Sequence, residues 1–127
     1  MGRRTVPGER TPVKTFSAGD IAMVALDPTI GREQKGRRPV LVLTDGSYNR
    51  ITGVPIVAAI TNGGIFARDN GFSVSLMGAG LLTTGVVRCD QIRSLDLSNR
   101  SADFVETVPE FILDEVREIV GTILEIH

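Results

Sequence analysis

A change of hydrophobic period near residue 107 is the strongest constraint this sequence places on its fold. Before it, apolar residues come in short runs cut by turn-forming residues. Ile21–Leu26 reads as a first strand, Val40–Leu43 as a second and Val54–Ile60 as a third. Asp45-Gly46-Ser47 and Thr52-Gly53 read as turns between the second and third, and Asn62-Gly63-Gly64 ends the third. Phe72–Leu76 alternates apolar and polar as a half-buried strand does, Thr84–Cys89 makes a fifth strand, and Arg93–Leu97 a short last one. After residue 107 the spacing becomes helical. Phe111, Ile112, Val116, Ile119, Val120, Ile123 and Leu124 recur every three or four residues, giving one apolar helix face. Thr107 and Glu110 have the form of a capping box, and Gly121 inside the helix predicts close packing there. Five or six short strands followed by one helix predict a mainly β protein: a small twisted sheet or β-barrel with a C-terminal α-helix docked on it.

At 127 residues the chain is long enough for one domain. With 42% hydrophobic but only 5% aromatic residues, its core must be built from Val, Ile, Leu and Ala. Residues 1–18, with Arg3, Arg4, Arg10 and Lys14 and little apolar periodicity, read as a flexible basic arm before a single domain at 19–127. The net charge of -1 conceals a dipole. Residues 1–38 hold eight Lys or Arg against four Asp or Glu, whereas residues 101–127 hold seven acids against Arg117 alone. Such a chain is suited to binding an anion at its basic end. Cys89 is the only cysteine and His127 the only histidine, which argues against a disulfide, a zinc site or a His–His nuclease. No apolar stretch reads as a secretory signal or a membrane span, so the expected location is the cytoplasm, with no metal or cofactor.

Three places could carry chemistry. Gly31-Arg32-Glu33-Gln34-Lys35-Gly36-Arg37-Arg38-Pro39 reads as a loop between two strands, crowded with cations. A guanidinium offers a planar fork that pairs with two phosphate oxygens, but a solvated basic turn has the same composition. In the fifth strand, alternation sends Thr84, Val86, Arg88 and Asp90 to one face, and Gly85, Val87 and Cys89 to the other. Arg88 and Asp90 then form a charge pair at a sheet edge or groove, which is also what an ordinary surface ion pair looks like. Thr61 places a hydroxyl at the exit of an apolar run. Cys89 faces the core and reads as packing.

Taken together, Asp27-Pro28-Thr29, the Gly31–Pro39 segment, Ile56–Thr61 and Gly85–Arg93 resemble the MazF and PemK (Kid) family of toxins. Asn62-Gly63-Gly64, Phe66-Ala67-Arg68 and Gly71–Val74 lean toward the PemK branch, and the resemblance covers Gly19 to Leu124. It implies an SH3-like barrel of the kind shared with CcdB, working as a homodimer and as a metal-independent endoribonuclease that cuts single-stranded RNA at short motifs. It further implies a cognate antitoxin whose acidic, disordered tail competes with RNA for the basic groove. By the same resemblance Arg38 and Thr61 match the catalytic residues of MazF-like enzymes, and Arg88 and Asp90 the acid–base pair of the PemK branch. Arg32, Glu33, Gln34, Asn62, Phe72, Thr84 and Gln91 fall where that branch contacts RNA. One departure stands out: Arg32 occupies a position where the PemK branch often has His, and a guanidinium can donate hydrogen bonds and charge but cannot exchange a proton near neutral pH.

The residue types suit the chemistry so implied. Cleavage by the ribose 2′-hydroxyl needs a base for its proton, positive charge on the phosphorane oxygens and an acid for the leaving oxygen. Arg38, helped by Thr61, suits the second task. Asp90 is the candidate base, although an ordinary Asp titrates near ~3.9 and a neighbouring Arg88 favours its charged form, so it is a weak one at neutral pH. Two other readings of the same barrel are a CcdB-like gyrase poison and a non-catalytic nucleic-acid-binding module.

Overall fold

The computed structural model describes residues 15–25, 36–62 and 71–126. Six strands, β1 (Asp20–Ala25), β2 (Arg37–Val42), β3 (Ile56–Thr61), β4 (Ser73–Ser75), β5 (Val86–Ser94) and β6 (Asp103–Thr107), form one sheet in the order β4-β5-β3-β2-β1-β6. All its pairs are antiparallel. Among the described residues there are two helices, α1 (Gly46–Thr52) between β2 and β3, and α2 (Glu110–Ile123) after β6. A 3-10 turn spans Leu97–Arg100.

Both faces of the sheet are covered. On one, Ile21, Leu41, Ala58, Ile60, Val87 and Cys89 pack with Ile112, Leu113 and Val116 of α2. On the other, Ala22, Val24, Val40, Val42 and Val57 pack with Phe16, Leu95 and Leu97. Strands buried on both faces read as continuous apolar runs, which is why β1 and the second half of β2 are so plain in the sequence. At Phe16 the packed body extends into the segment expected to be an arm. Phe16 is 6% exposed, and the Gly19 N–H donates to the Val42 carbonyl.

Several expectations need correction. The stretch read as turns at 45–47 and 52–53 contains α1. Gly, Ser, Asn and Thr are poor helix formers with no apolar period, and a buried side chain holds this helix instead. Asn49 donates to the Phe16 and Thr44 carbonyls at 2.7 and 2.8 Å and accepts from the Thr44 hydroxyl at 2.6 Å. The fifth and last predicted strands are one strand, β5, and β6 lies where no strand was expected. Its sequence DFVET has too few apolar residues to announce itself. The Thr107–Glu110 capping box does not form: Thr107 sits in β6 and donates to Asp20 instead, and Pro109 occupies the N-cap. On α2 the buried residues are Ile112, Leu113 and Val116, whereas Phe111 is 63% exposed and Ile123 and Leu124 are also exposed. At Gly121 the close neighbour is the chain's own end. An added Cβ would lie 3.4 Å from the Ile126 carbonyl oxygen, where the Ile126 N–H donates back to Gly121.

Two irregularities shape the functional end. β2 begins at Arg37, so Arg37, Arg38 and Pro39 are strand residues rather than loop residues, paired with Ala25, Val24 and Met23 of β1. The ladder between β2 and β3 starts only at Val40 and Ala59. Proline is tolerated at 39 because its missing N–H falls where β2 has a neighbour on one side only. In β5 the partners of Ala58 and Ala59 jump from Ile92 to Arg88, leaving Cys89, Asp90 and Gln91 in a bulge. A bulge bends its strand and re-aims side chains.

Candidate active site

Where β2 and β3 part, they open a cavity of about 640 Å³, within the range of small-ligand sites. Arg38 stands at its β2 wall and Thr61 at its β3 wall. Running the Val40–Ala59 register back by two residues brings Arg38 level with Thr61. Asn62 and Thr84 face one another on the next wall, the amide donating to the hydroxyl at 3.0 Å, and Gln91 from the β5 bulge completes it. A second cavity of about 550 Å³ adjoins it, sharing Thr61, Asn62 and Thr84 and lined further by residues between Ser75 and Val86. The wall between them is tight. Gly85 has φ +111, and a Cβ there would lie 2.4 Å from the Thr61 carbonyl oxygen, so only glycine permits this approach.

Arg38 is exposed, and among the described residues its guanidinium donates only to the carbonyl of Arg37, at 3.1 Å. Its neighbour is bound differently. The Arg37 side chain is 8% exposed and donates to the Met23 carbonyl at 2.9 Å and to Asp103 at 2.7 Å, as well as to the Ser101 carbonyl. Its Nε is buried without a partner among the described residues. Arg37, which also lines the cavity, thus clamps β2 to β1 and β6, and Arg38 is the one of the two with donors to spare. Sequence reasoning assigned Arg37 no role. Its signal was the adjacency of two arginines in a strand, where alternation must send them to opposite sides.

Of the other expected site residues, Arg88 and Asp90 form the anticipated pair, with Nε to Oδ1 at 3.2 Å and the terminal nitrogen to Oδ2 at 3.1 Å. They do not line the cavity. Arg88 is partnered by Ala59 in β3 and Ser73 in β4, which puts β3 between it and Arg38, on the face that also carries Thr61. Phe72, 41% exposed, precedes β4, and its carbonyl accepts from the Cys89 N–H. Arg88 and Asp90 therefore make a second charged pair outside the cavity, and the Phe72 backbone pairs with the strand that carries them. Arg32, Glu33 and Gln34 lie outside the described residues. Cys89 is 1% exposed, and burial, reinforced by Asp90 and Glu115, pushes its thiol up to about 11, so it is packing and not a nucleophile.

At the opposite edge, Glu106 of β6 reaches the loop between β4 and β5. Its carboxylate accepts the Leu82 N–H at 3.0 Å, and the Thr83 N–H and hydroxyl at 2.7 Å each. Burial pushes this carboxyl up, but the three hydrogen bonds outweigh it and hold it below the ordinary range.

Known proteins share this fold and much of this sequence. Residues 17–124 match the model of the PemK-like, MazF-like toxin of type II toxin–antitoxin systems. The chain is similar to endoribonuclease PemK of Escherichia coli, 53% identical over 106 residues, covering 84% of this chain and 80% of that one. It is 42% identical to the endoribonuclease toxin ChpB of Escherichia coli K12 over 79% of this chain and 86% of the relative. Among solved structures it resembles MazF of Deinococcus radiodurans, with a TM-score of 0.75, 36% identity, and coverage of 89% and 99% of the two chains. A chain of the MazE–MazF structure from the same organism gives a TM-score of 0.73 at 32% identity, covering 91% and 100%. With the family model spanning most of its length, this chain belongs to the PemK-like, MazF-like toxins of type II toxin–antitoxin systems.

Proposed function

We propose that the protein is an endoribonuclease toxin that cuts single-stranded RNA without a metal, by attack of the ribose 2′-hydroxyl on the adjacent phosphate. The products are a 2′,3′-cyclic phosphate and a 5′-hydroxyl. The observation that carries this reading is the meeting of Arg38, Thr61, Asn62, Thr84 and Gln91 around one open cavity. Arg38 holds the phosphate and stabilises charge on the phosphorane oxygens, and the Thr61 hydroxyl shares that work. Donors placed at developing charge contribute about 10²–10³ in rate. Asn62, Thr84 and Gln91 hold nucleotides along the groove, with Phe72 offering a face for a base to stack on.

Asp90 supplies the proton transfers, and Arg88 supplies positive charge. Both carboxylate oxygens of Asp90 accept from Arg88; when substrate displaces part of that pairing, Asp90 accepts the 2′-OH proton and passes it to the leaving 5′-oxygen, while Arg88, which stays protonated, donates hydrogen bonds and charge to the phosphate. Proton transfer by positioned groups contributes about 10²–10⁴. Arg32 adds positive charge in place of the proton-exchanging His of the PemK branch.

The partners follow from the family. A cognate antitoxin lays an acidic tail along the same groove, matched to Arg38 and its neighbours in charge. Two copies of the chain pair as a homodimer, for which exposed apolar side chains such as Phe111 and Leu82 offer surface that one protomer leaves uncovered. Among the described residues no helix is long and apolar enough to cross a membrane, and the site of action we infer is the cytoplasm, where mRNA is.

Purified protein incubated with labelled RNA in excess EDTA tests the reading. Discrete cuts with cyclic-phosphate ends, and no cutting of DNA of the same sequence, are the expected result, because DNA lacks the nucleophile. RNA that is bound but left whole overturns it in favour of a binding module.

A further inference from the structure

We propose that Glu106 is a positioning residue of the RNA groove: from the far edge strand it holds the Leu82–Thr84 segment in place, and through Thr84 it sets the affinity for substrate. The inference rests on the groove assigned under the proposed function and adds to it a residue that touches no nucleotide.

Three contacts in series make the case. Glu106 accepts two consecutive backbone N–H groups, of Leu82 and Thr83, and the Thr83 hydroxyl as well. That arrangement anchors a loop rather than decorating it, since a carboxylate that accepts several donors is far less replaceable than a single neutral bond. The next residue, Thr84, exchanges hydrogen bonds with Asn62 on the groove wall, donor to acceptor at 3.0 and 3.1 Å. The residue after that is Gly85, whose backbone lies against the Thr61 carbonyl so closely that no side chain fits. Anything that lets the 82–84 segment drift moves the Thr84–Asn62 wall with it.

Topology explains why a side chain must do this. β4 and β6 are the two edges of the sheet and do not pair with one another. Glu106 lies opposite Ile21 in the β1–β6 register, and Ile21 belongs to the core beneath α2. Glu106 therefore extends on the α2 side of the sheet and bridges to the β4–β5 loop, where a ladder would otherwise be needed to close the barrel. A glutamine at this position keeps one oxygen and turns an NH₂ group toward donors, so at least one of the three bonds is lost.

The test is a double-variant cycle on RNA cleavage using Glu106→Gln and Thr84→Val. It is read with a single-stranded oligonucleotide carrying the site at which the wild type cuts a defined mRNA most strongly. Glu106→Gln is expected to raise KM about tenfold while kcat changes less than threefold, and to speed amide hydrogen exchange at Leu82 and Thr83. In the Thr84→Val background it is expected to add little, because the route from Glu106 to substrate runs through Thr84. Effects that simply multiply, or an unchanged KM, overturn the proposal. Should Glu106→Gln fail to fold, Thr83→Val removes one of the three bonds alone: a smaller rise in KM supports the proposal, and no rise overturns it. Wild-type protein that cuts no RNA would instead overturn the parent reading, and the hydrogen-exchange comparison would still decide whether Glu106 holds the loop.

Discussion

The two ends of the sheet use polar side chains in opposite ways. At the α1 end, Asn49 is buried, and it accepts from the Thr44 hydroxyl while both hydrogens of its amide nitrogen go to the Phe16 and Thr44 carbonyls. Every one of those bonds stays within the protein, and the result is a fixed helix. At the cavity end, Arg38 is exposed and spends its guanidinium on one neighbouring carbonyl among the described residues. Buried polar groups are satisfied because leaving them bare costs about 1–3 kcal/mol each. Polar groups left with spare capacity beside a cavity are the ones available to a ligand. The difference separates what holds this fold from what the fold presents.

The sharpest way to break that comparison is Arg38→Ala. Cleavage is expected to fall by at least about 10³-fold, close to the limit of donor removal plus lost phosphate binding, with thermal midpoint and oligomeric state unchanged. A variant that fails to fold would mean Arg38 belongs with Asn49 among the structural groups. Asp90→Asn should lower kcat by about 10²-fold with RNA still bound, as single-turnover assays would read. Equal cleavage by that variant would leave Asp90 as a partner for Arg88 and nothing more. Asn49→Ala is the mirror experiment. It leaves the Phe16 and Thr44 carbonyls bare and should cost about 3 kcal/mol in denaturant unfolding, while cleavage per folded molecule stays as in the wild type.

Glu106 sharpens the comparison through pH. Its carboxyl is depressed in the folded state, so its bonds add stability above the unfolded value of ~4.3, and that contribution is lost as pH falls through the lower folded value. The wild-type melting temperature should therefore drop more steeply than that of Glu106→Gln between about pH 5 and 3. Part of the fall will remain in the variant, because Asp96 is also depressed, chiefly by the Ser98 hydroxyl. The smallest effect concerns Cys89. With its thiol buried and pushed up to about 11, it should resist thiol reagents at about pH 8 in the folded protein and react only once unfolded. Rapid labelling of the native state would show the core beneath α2 to be looser than its packing implies.

The amino-acid sequence on its own determined the strands buried on both faces and the helical tail. Continuous apolar runs and a change of period are local signals that survive without a structure. The Arg88–Asp90 pair was likewise legible from two-residue spacing, and the resemblance to the toxin family rested on motifs in order along the chain. Tertiary structure decided the rest. α1 exists because Asn49 finds partners 33 and 5 residues away, and β6 because β1 offers it an edge to pair with. Neither fact has a local period to betray it. Which of Arg37 and Arg38 would keep donors to spare depended on Ser101 and Asp103, 64 and 66 residues from Arg37. The link from Glu106 to Thr83 spans 23 residues and closes a barrel whose edge strands never pair. Such long-range contacts are invisible to periodicity, because a sheet edge is defined by what lies beside it in space and not by what precedes it in the chain.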